Sequence, residues 1–234
     1  MKIYTYHEDL RFEHSNRLLK IWKQSWQQNG FIPIVLSRKD CIEHPYYTSY
    51  SNELRKISIE ISGKPPTEYG LACWLRWLAY STQNDEEFYV SDYDVINHNF
   101  YPTKPLVGLY MLDHTCPCIA SGRPKDFEWL CKTLIHTVNN NKDFFKKIYK
   151  NMQETYWFND QEFFQIVNEL DHNLIKMTRN RETFLSTPLM HEFWKKPLVH
   201  YGSALCDLYL QRFLKKFTPQ ARVNLIEESL KKNS

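Results

Sequence analysis

Lys2-Ile-Tyr-Thr-Tyr6, then Leu18, Trp22 and Trp26 recurring every four residues, then Phe31-Ile-Pro-Ile-Val-Leu36: this opening stretch decides the fold class. The two flanking runs are rich in β-branched and aromatic residues and read as strands, while the four-residue recurrence between them reads as one face of a helix. Gly30 supplies the stop between helix and second strand. Pro33 is tolerable near a strand start or on a sheet edge. A strand, a helix and a strand in so short a span form a βαβ unit, and its two strands lie parallel because the helix carries the chain back across the sheet. The expected class is α/β, with a mostly parallel, Rossmann-like central sheet flanked by helices.

Beyond Leu36 the pattern weakens. His44-Pro-Tyr-Tyr47, the polar stretch from Ser49 to Asn52 and Lys64-Pro-Pro-Thr67 predict loop, with at most a short helix near Glu53 to Ile61. A long irregular excursion in a compact domain is more often functional than idle. A helical stripe resumes at Tyr69 with Leu71, Trp74, Leu75 and Leu78 and ends near Ser81. Glu86-Glu-Phe-Tyr-Val-Ser-Asp-Tyr-Asp-Val-Ile96 then reads as a buried strand that runs into charge at its C-terminal end. Cys118-Ile-Ala-Ser-Gly122 predicts a short strand, and Pro124 suits the first turn of a helix whose face carries Phe127, Leu130, Leu134 and Val138. Further helical stripes run from Phe144 to Met152 and through Phe163, Val167, Leu170 and Leu174. After a loop with Pro188 and Pro197, Leu198-Val-His-Tyr-Gly202 is short and extended, and two amphipathic helices are expected on either side of Pro219.

The 234 residues suffice for one large domain, and nothing in the sequence divides them, so residues 1–234 are read as a single domain. With 42% hydrophobic and 15% aromatic residues the chain is a folded globular protein, not a disordered one. A net charge of only +3 argues against a nucleic-acid binder. No Walker-type loop exists among the 6 glycines, which argues against a phosphate-loop NTPase. Glu8 and Asp9 interrupt the N-terminus before an apolar core of a signal peptide forms, and no run approaches the roughly 18 apolar residues of a membrane span. The expectation is a cytoplasmic protein with no transmembrane segment. The scattered Cys41, Cys73, Cys116, Cys118, Cys131 and Cys206 fit reduced thiols, with a structural zinc at the close pair Cys116 and Cys118 as the lesser reading.

Asp92 and Asp94 stand two apart on the predicted strand, so a period of two puts both carboxylates on one side and Tyr93 on the other. Two carboxylates at the C-terminal end of a central strand suit a hard divalent cation, Mn²⁺ or Mg²⁺, at the edge where open α/β sheets bind ligands. An Asp-x-Asp also arises by chance in solvent-exposed loops. The apolar Phe88-Tyr-Val90 before it favours a site, because it carries the acids out of the core. Such a pair also serves two-metal nucleotidyl transfer.

The run Tyr69-Gly-Leu-Ala-Cys-Trp-Leu-Arg-Trp-Leu-Ala-Tyr80 followed by Phe88-Tyr-Val-Ser-Asp-Tyr-Asp-Val95 resembles the helix and DXD strand of GT-A-fold glycosyltransferases that use nucleotide sugars. The opening βαβ unit with its Tyr6-His7-Glu8 loop is similar to the first half of that family's nucleotide-binding unit. Asn159-Asp-Gln161 resembles the Asn/Asp-Gln pair that opens a late helix, and Leu198-Val-His-Tyr-Gly202 resembles a late strand whose His supplies a third metal ligand in some members. The resemblance covers residues 1 to about 202. Asp85-Glu-Glu87 stands where many relatives carry Gly-Gly, and the Lys-Pro-Trp that usually follows the late His is missing.

The resemblance implies a nucleotide-binding half at 1–100, an acceptor half at 101–202 and C-terminal helices at 203–234. It implies a small glycosyltransferase of capsular or viral type, moving a sugar from a nucleoside diphosphate sugar, a UDP-sugar foremost, to a hydroxyl of a glycan or glycoconjugate. The alternative is a nucleotide- or glycan-binding module without turnover. Asp92, Asp94 and His200 are the expected metal ligands, His200 being equally readable as a partly buried structural histidine. Asp92 also belongs with the donor-binding set. Arg76 either braces the acidic segment and touches the donor or lies on the polar face of its helix. Asp160 is either the carboxylate near the acceptor hydroxyl, as general base or anchor, or a first-turn helix acid. Tyr6 and His7 suit contacts to base or ribose. Ser121 and Gly122 either turn backbone amides to the donor or form a plain strand-to-helix turn.

Overall fold

The computed structural model describes residues 1–10, 15–103, 108–112, 117–152, 158–171, 174–177, 184–185, 195–202 and 219–232. The opening unit forms as its pattern requires. Strand β1 (Lys2–Tyr6), helix α1 (Ser15–Gln28) and strand β2 (Ile32–Leu36) follow in order, and the two strands pair in parallel from Lys2 opposite Ile32 to Tyr6 opposite Leu36. Gly30 turns the chain between α1 and β2 at φ 82°, a left-handed conformation that a Cβ disfavours. Because β2 is the outermost strand, Pro33 costs the sheet no hydrogen bond on its open side.

The segment expected as loop is instead a full helix, α2 (Tyr47–Ser62). Its buried residues Tyr50, Leu54, Ile57 and Ile61 follow helical spacing, and this tertiary stripe overrides the weak intrinsic propensity of Thr48, Ser49, Ser51 and Asn52. Gly63 ends it at φ 74°. Helix α3 (Glu68–Ser81) matches its stripe, with the Thr67 hydroxyl accepting from the Gly70 N–H at its start.

A second correction concerns the acids. Strand β3 (Phe88–Ser91) ends before them, and strand β4 (Val95–Asn97) begins after them. The chain continues through β5 (Tyr110–Met111), β6 (Ile119–Gly122), α4 (Pro124–Asn140), α5 (Lys142–Asn151), α6 (Asp160–Leu170), β7 (Lys176–Met177), β8 (Phe184–Leu185), β9 (Leu198–His200) and α7 (Pro219–Lys231). Pro124 stands in the first turn of α4, and Phe127, Leu130, Leu134 and Val138 are all buried. Pro188, Cys116, Cys206 and the helix expected before Pro219 lie outside the described residues.

The main sheet has the order β2-β1-β3-β6-β5-β7, and a small second sheet has the order β4-β9-β8. β1 pairs in parallel with β2 and β3, whereas β6 runs antiparallel to both β3 and β5. Alternation along β1 and β3 sends Tyr4, Tyr6, Phe88 and Val90 into a core beneath α2, α3 and α4, and Ile3 and Tyr89 into a core with α1. The second core also takes Val95, Ile96, Leu198, Val199, Val223 and Ile226, so β4, β9 and α7 are fastened to the face that α1 covers. Short as it is, β9 is the buried middle strand of the small sheet. Among the described residues no helix is long and apolar enough to cross a membrane.

Candidate active site

The chain leaves the main sheet at Ser91 and enters the small one at Val95, so Asp92-Tyr93-Asp94 is the hinge between two sheets. Its backbone is held on every side. The Asp92 N–H donates to the Cys118 carbonyl at 2.8 Å, the Val95 N–H closes a turn onto the Asp92 carbonyl at 3.0 Å, and the Tyr201 N–H donates to the Asp94 carbonyl at 2.9 Å. The tryptophans of α1 grip both ends: Trp22 Nε1 donates to Ser91 Oγ at 2.9 Å and Trp26 Nε1 to the Val95 carbonyl at 3.0 Å. The four-residue recurrence of these tryptophans therefore does more than fill a core. The turn, not strand periodicity, converges the two carboxylates, and this replaces the expected reason for their shared side.

Strand pairing brings the third group. In the antiparallel β4–β9 ladder Val95 faces His200, so the imidazole stands beside the residue before Val95. Its Nε2 lies 3.3 Å from Asp94 Oδ1. One ligand atom each from Asp92, Asp94 and His200 falls within 4.8 Å of the others. Cis ligands of an octahedral ion at about 2.1 Å stand about 3 Å apart and trans ligands about 4.2 Å, so the three fit one divalent ion after a contraction of some tenths of an ångström. Two carboxylate oxygens and one imidazole nitrogen are a donor set for Mn²⁺ or Mg²⁺ more than for a thiophilic ion.

Each acid is also gripped by an arginine. Arg76 on α3 donates through Nη1 to Asp92 Oδ1. Its Nε and Nη2 donate to Asp160 Oδ2 at 3.0 and 2.6 Å, and Trp77 Nε1 donates to the same oxygen at 2.9 Å. Of the two readings of Arg76, the polar-face one does not hold, since the residue is 8% exposed. Burial opposes its charge, but Asp160 and Asp92 outweigh this and hold the guanidinium protonated. Burial pushes the Asp160 carboxyl up, while Arg76 and Trp77 pull it back. The N-cap of α6 is Asn159, whose side chain accepts from the Gln161 N–H at 2.8 Å and whose own N–H donates to Glu162 Oε2 at 2.8 Å. Asp160 is thus released from capping and faces inward at 2% exposure, leaving Gln161 as the exposed member of the pair.

Arg222 on α7 is the partner the sequence did not announce. Its Nη2 donates to Asp94 Oδ2 at 2.6 Å and its Nε to the Tyr201 carbonyl at 2.7 Å. Burial works against the Asp94 carboxylate, yet His200 and Arg222 prevail and hold it well below the usual carboxylate range. A residue 128 positions away carries no local signal.

The remaining expected residues divide. His7 reaches the site, its ring edge-on to Tyr93 at 5.2 Å between centroids. Burial pushes it down, so it is neutral, and its Nε2 is buried with no hydrogen-bond partner among the described residues. Tyr6 lies directly before it, but its ring belongs to the core and its hydroxyl donates to Glu8. Ser121 and Gly122 are not brought to the acidic turn. In the antiparallel β3–β6 ladder Gly122 faces Phe88 at the start of β3, so the pair sits at the opposite edge of the sheet. Asp85 is at that edge too, held by Lys2 Nζ at 2.7 Å and by the Tyr4 hydroxyl. Tyr69, half-exposed on the face of α3 that also carries Arg76, was not expected; Cys73, burial and the charges of Asp92 and Asp94 push its phenol up. Cys41, Cys73, Cys118 and Cys131 are thiols, not disulfides.

A solved structure of an active-site mutant of LgtC superimposes on 98% of this chain and 96% of its own, with a TM-score of 0.51 and 11% identity. The chain has a GT-A-like glycosyltransferase fold. A glycosyltransferase involved in glycosylating the major capsid of PBCV-1 aligns over 97% of this chain and 98% of its own at a TM-score of 0.47 and 10% identity. The apo form of the glycosyltransferase GlyE from Streptococcus pneumoniae TIGR4 aligns over 98% of this chain at 0.47 and 12% identity, and this chain spans 64% of GlyE's length. No family model and no curated protein matches the sequence. At such identities the likeness establishes the fold.

Proposed function

We propose that this GT-A-like chain is a glycosyltransferase that moves a sugar from a nucleoside diphosphate sugar to a hydroxyl of a glycan or glycoconjugate acceptor, with a divalent cation held by Asp92, Asp94 and His200. The observation that carries the reading is the convergence of those three ligand atoms within 4.8 Å at the C-terminal edge of β3. That edge is where open α/β sheets receive nucleotides. A divalent ion there supplies Lewis-acid neutralisation of the charge that develops on a departing diphosphate.

The chain's own residues do the rest. Arg76 fixes Asp92 in one orientation, and Asp160 fixes Arg76, so Asp160 acts behind the site as a positioning residue. This revises the expected role at the acceptor hydroxyl: three donors already converge on one oxygen of a buried carboxylate. His7 offers a neutral imidazole with an unmet nitrogen beside Tyr93, suited to hydrogen-bond the base or ribose of the donor. We read residues 1–100 as the donor half, 101–202 as the acceptor half, UDP as the foremost nucleotide and the cytoplasm as the place of action.

The test is incubation with a panel of nucleotide sugars and Mn²⁺, reading released nucleoside diphosphate with wild type and Asp94→Asn. Release with one donor, lost in the variant and in excess chelator, supports the proposal. Binding of nucleotide sugars without release, in the presence of acceptor glycans, returns the chain to a binding module.

A further inference from the structure

The two arginines on the acidic turn differ in what else they touch. Arg76 is shared between Asp92 and Asp160, whereas Asp94 is the only carboxylate paired with Arg222 among the described residues. Against the three carboxylates of Asp92, Asp94 and Asp160 stand the two guanidiniums of Arg76 and Arg222, which leaves one net negative charge to receive a divalent ion. A bare ion is therefore undercompensated, and it lies within a few ångströms of a fixed guanidinium.

Arg222 is also built in. Val223 and Ile226 are fully buried in the second core, and Ser229 Oγ lies 2.7 Å from the Tyr201 hydroxyl. These contacts dock α7 on β9, and the Arg222 bond to the Tyr201 carbonyl fixes its head group beside Asp94 Oδ2. Asp94 is thus left with Oδ1, the oxygen facing His200, as its metal-directed atom. A planar guanidinium presents five donors, and the two bonds formed here leave others for an anion at the turn.

We propose that Arg222 makes cation binding conditional on an anionic ligand: it holds down the affinity of the site for a bare divalent ion and attracts the diphosphate, so that ion and diphosphate bind together. The inference rests on the diphosphate reading above. Repulsion between the guanidinium and the ion weakens the ion alone, and attraction between the guanidinium and the diphosphate strengthens the pair. By linkage, each ligand raises the affinity of the other by the same factor.

Mn²⁺ binding to the full chain is measured by electron paramagnetic resonance, with and without inorganic pyrophosphate, at concentrations corrected for the Mn²⁺–pyrophosphate complex. In wild type, pyrophosphate tightens Mn²⁺ at least tenfold. In Arg222→Gln, Mn²⁺ alone binds at least tenfold tighter while the enhancement by pyrophosphate falls below threefold; Arg222→Lys keeps both values within threefold of wild type. A rise in the affinity for the bare ion together with a fall in the enhancement separates this role from a structural one, which weakens Mn²⁺ binding under both conditions and lowers the apo melting temperature. Weaker or unchanged Mn²⁺ binding in Arg222→Gln overturns the inference, as does a wild type with no coupling, a result that stands even if the variant does not fold. Absence of Mn²⁺ binding in wild type under both conditions overturns the cation reading itself and the inference with it.

Discussion

Replacing Asp160 by asparagine tests whether the turn is held from behind. Asp160 Oδ2 accepts three bonds, two from Arg76 at 3.0 and 2.6 Å and one from Trp77 at 2.9 Å, in a place that is 2% exposed. Breaking a buried pair from one side costs about 3–5 kcal/mol, because the surviving charge stays buried. Asparagine keeps an acceptor oxygen and Arg76 keeps Asp92, which places the expected loss at the low end, about 3 kcal/mol. At the size of this chain that is a fall of roughly 6–12 °C in melting temperature. A first-turn helix acid with no buried partner contributes only about 0.3–1 kcal/mol through the dipole. The two readings thus differ several-fold in a quantity that thermal and urea unfolding both report. Arg76→Met alone is expected to be costly as well, while Asp160→Leu combined with Arg76→Met costs less than the sum of the singles, because neither member of the buried Arg76–Asp160 pair is left without the other. A fall below 2 °C for Asp160→Asn, or additivity in that cycle, refutes the account.

Gly202→Ala alters no ligand but builds a Cβ 2.7 Å from the His200 ring, so the imidazole is forced off Asp94; Mn²⁺ affinity measured with pyrophosphate is expected to fall about tenfold, with the apo melting temperature changed by less than about 4 °C. Asp94→Asn is expected to cut turnover at least ~100-fold in the nucleotide-sugar assay, since it removes charge from a metal-directed oxygen, and undiminished activity denies that oxygen a role. Burial pushes His98 down to about 4 from 6.5, so between those values the unfolded chain takes up a proton that the folded chain refuses. Stability is therefore lost as pH falls from 6.5 to 4, by roughly 3 kcal/mol in all, and His98→Gln flattens that part of the urea-unfolding profile.

What the sequence made legible was local. The βαβ opening, α3 and the buried run before Asp92 each carry their evidence in their own residues, and each formed where its pattern put it. Pairing direction carries no such mark. Nothing within Ile119–Gly122 says that it runs antiparallel to β3, and that direction alone moves Ser121 and Gly122 to the far edge. The helix α2 was hidden for a different reason: its serines, threonine and asparagine obscure a stripe of Tyr50, Leu54, Ile57 and Ile61 that only packing makes decisive. Asp160 was legible as a candidate but not as the support of Arg76, 84 residues away, and Arg222, 128 residues from Asp94, lies beyond local reading altogether.

The way the acidic turn is fastened explains why its ligands were legible and why, Arg76 apart, its supports were not. A metal ligand must be Asp, Glu, His or Cys, so few candidates exist and spacing narrows them. A support need only place a donor, and here the donors are two indoles, two guanidiniums and backbone N–H groups drawn from α1, α3, α7, β9 and the turn itself. None of those residue types is by itself diagnostic of a site in sequence. Yet they fix the carboxylates more firmly than the strand periodicity that first suggested them, because every support comes from an element packed in one of the two cores. The turn keeps its shape only while β4, β9 and α7 stay docked on the face that α1 covers, so the integrity of the site is tied to the second core rather than to the strand that carries the acids.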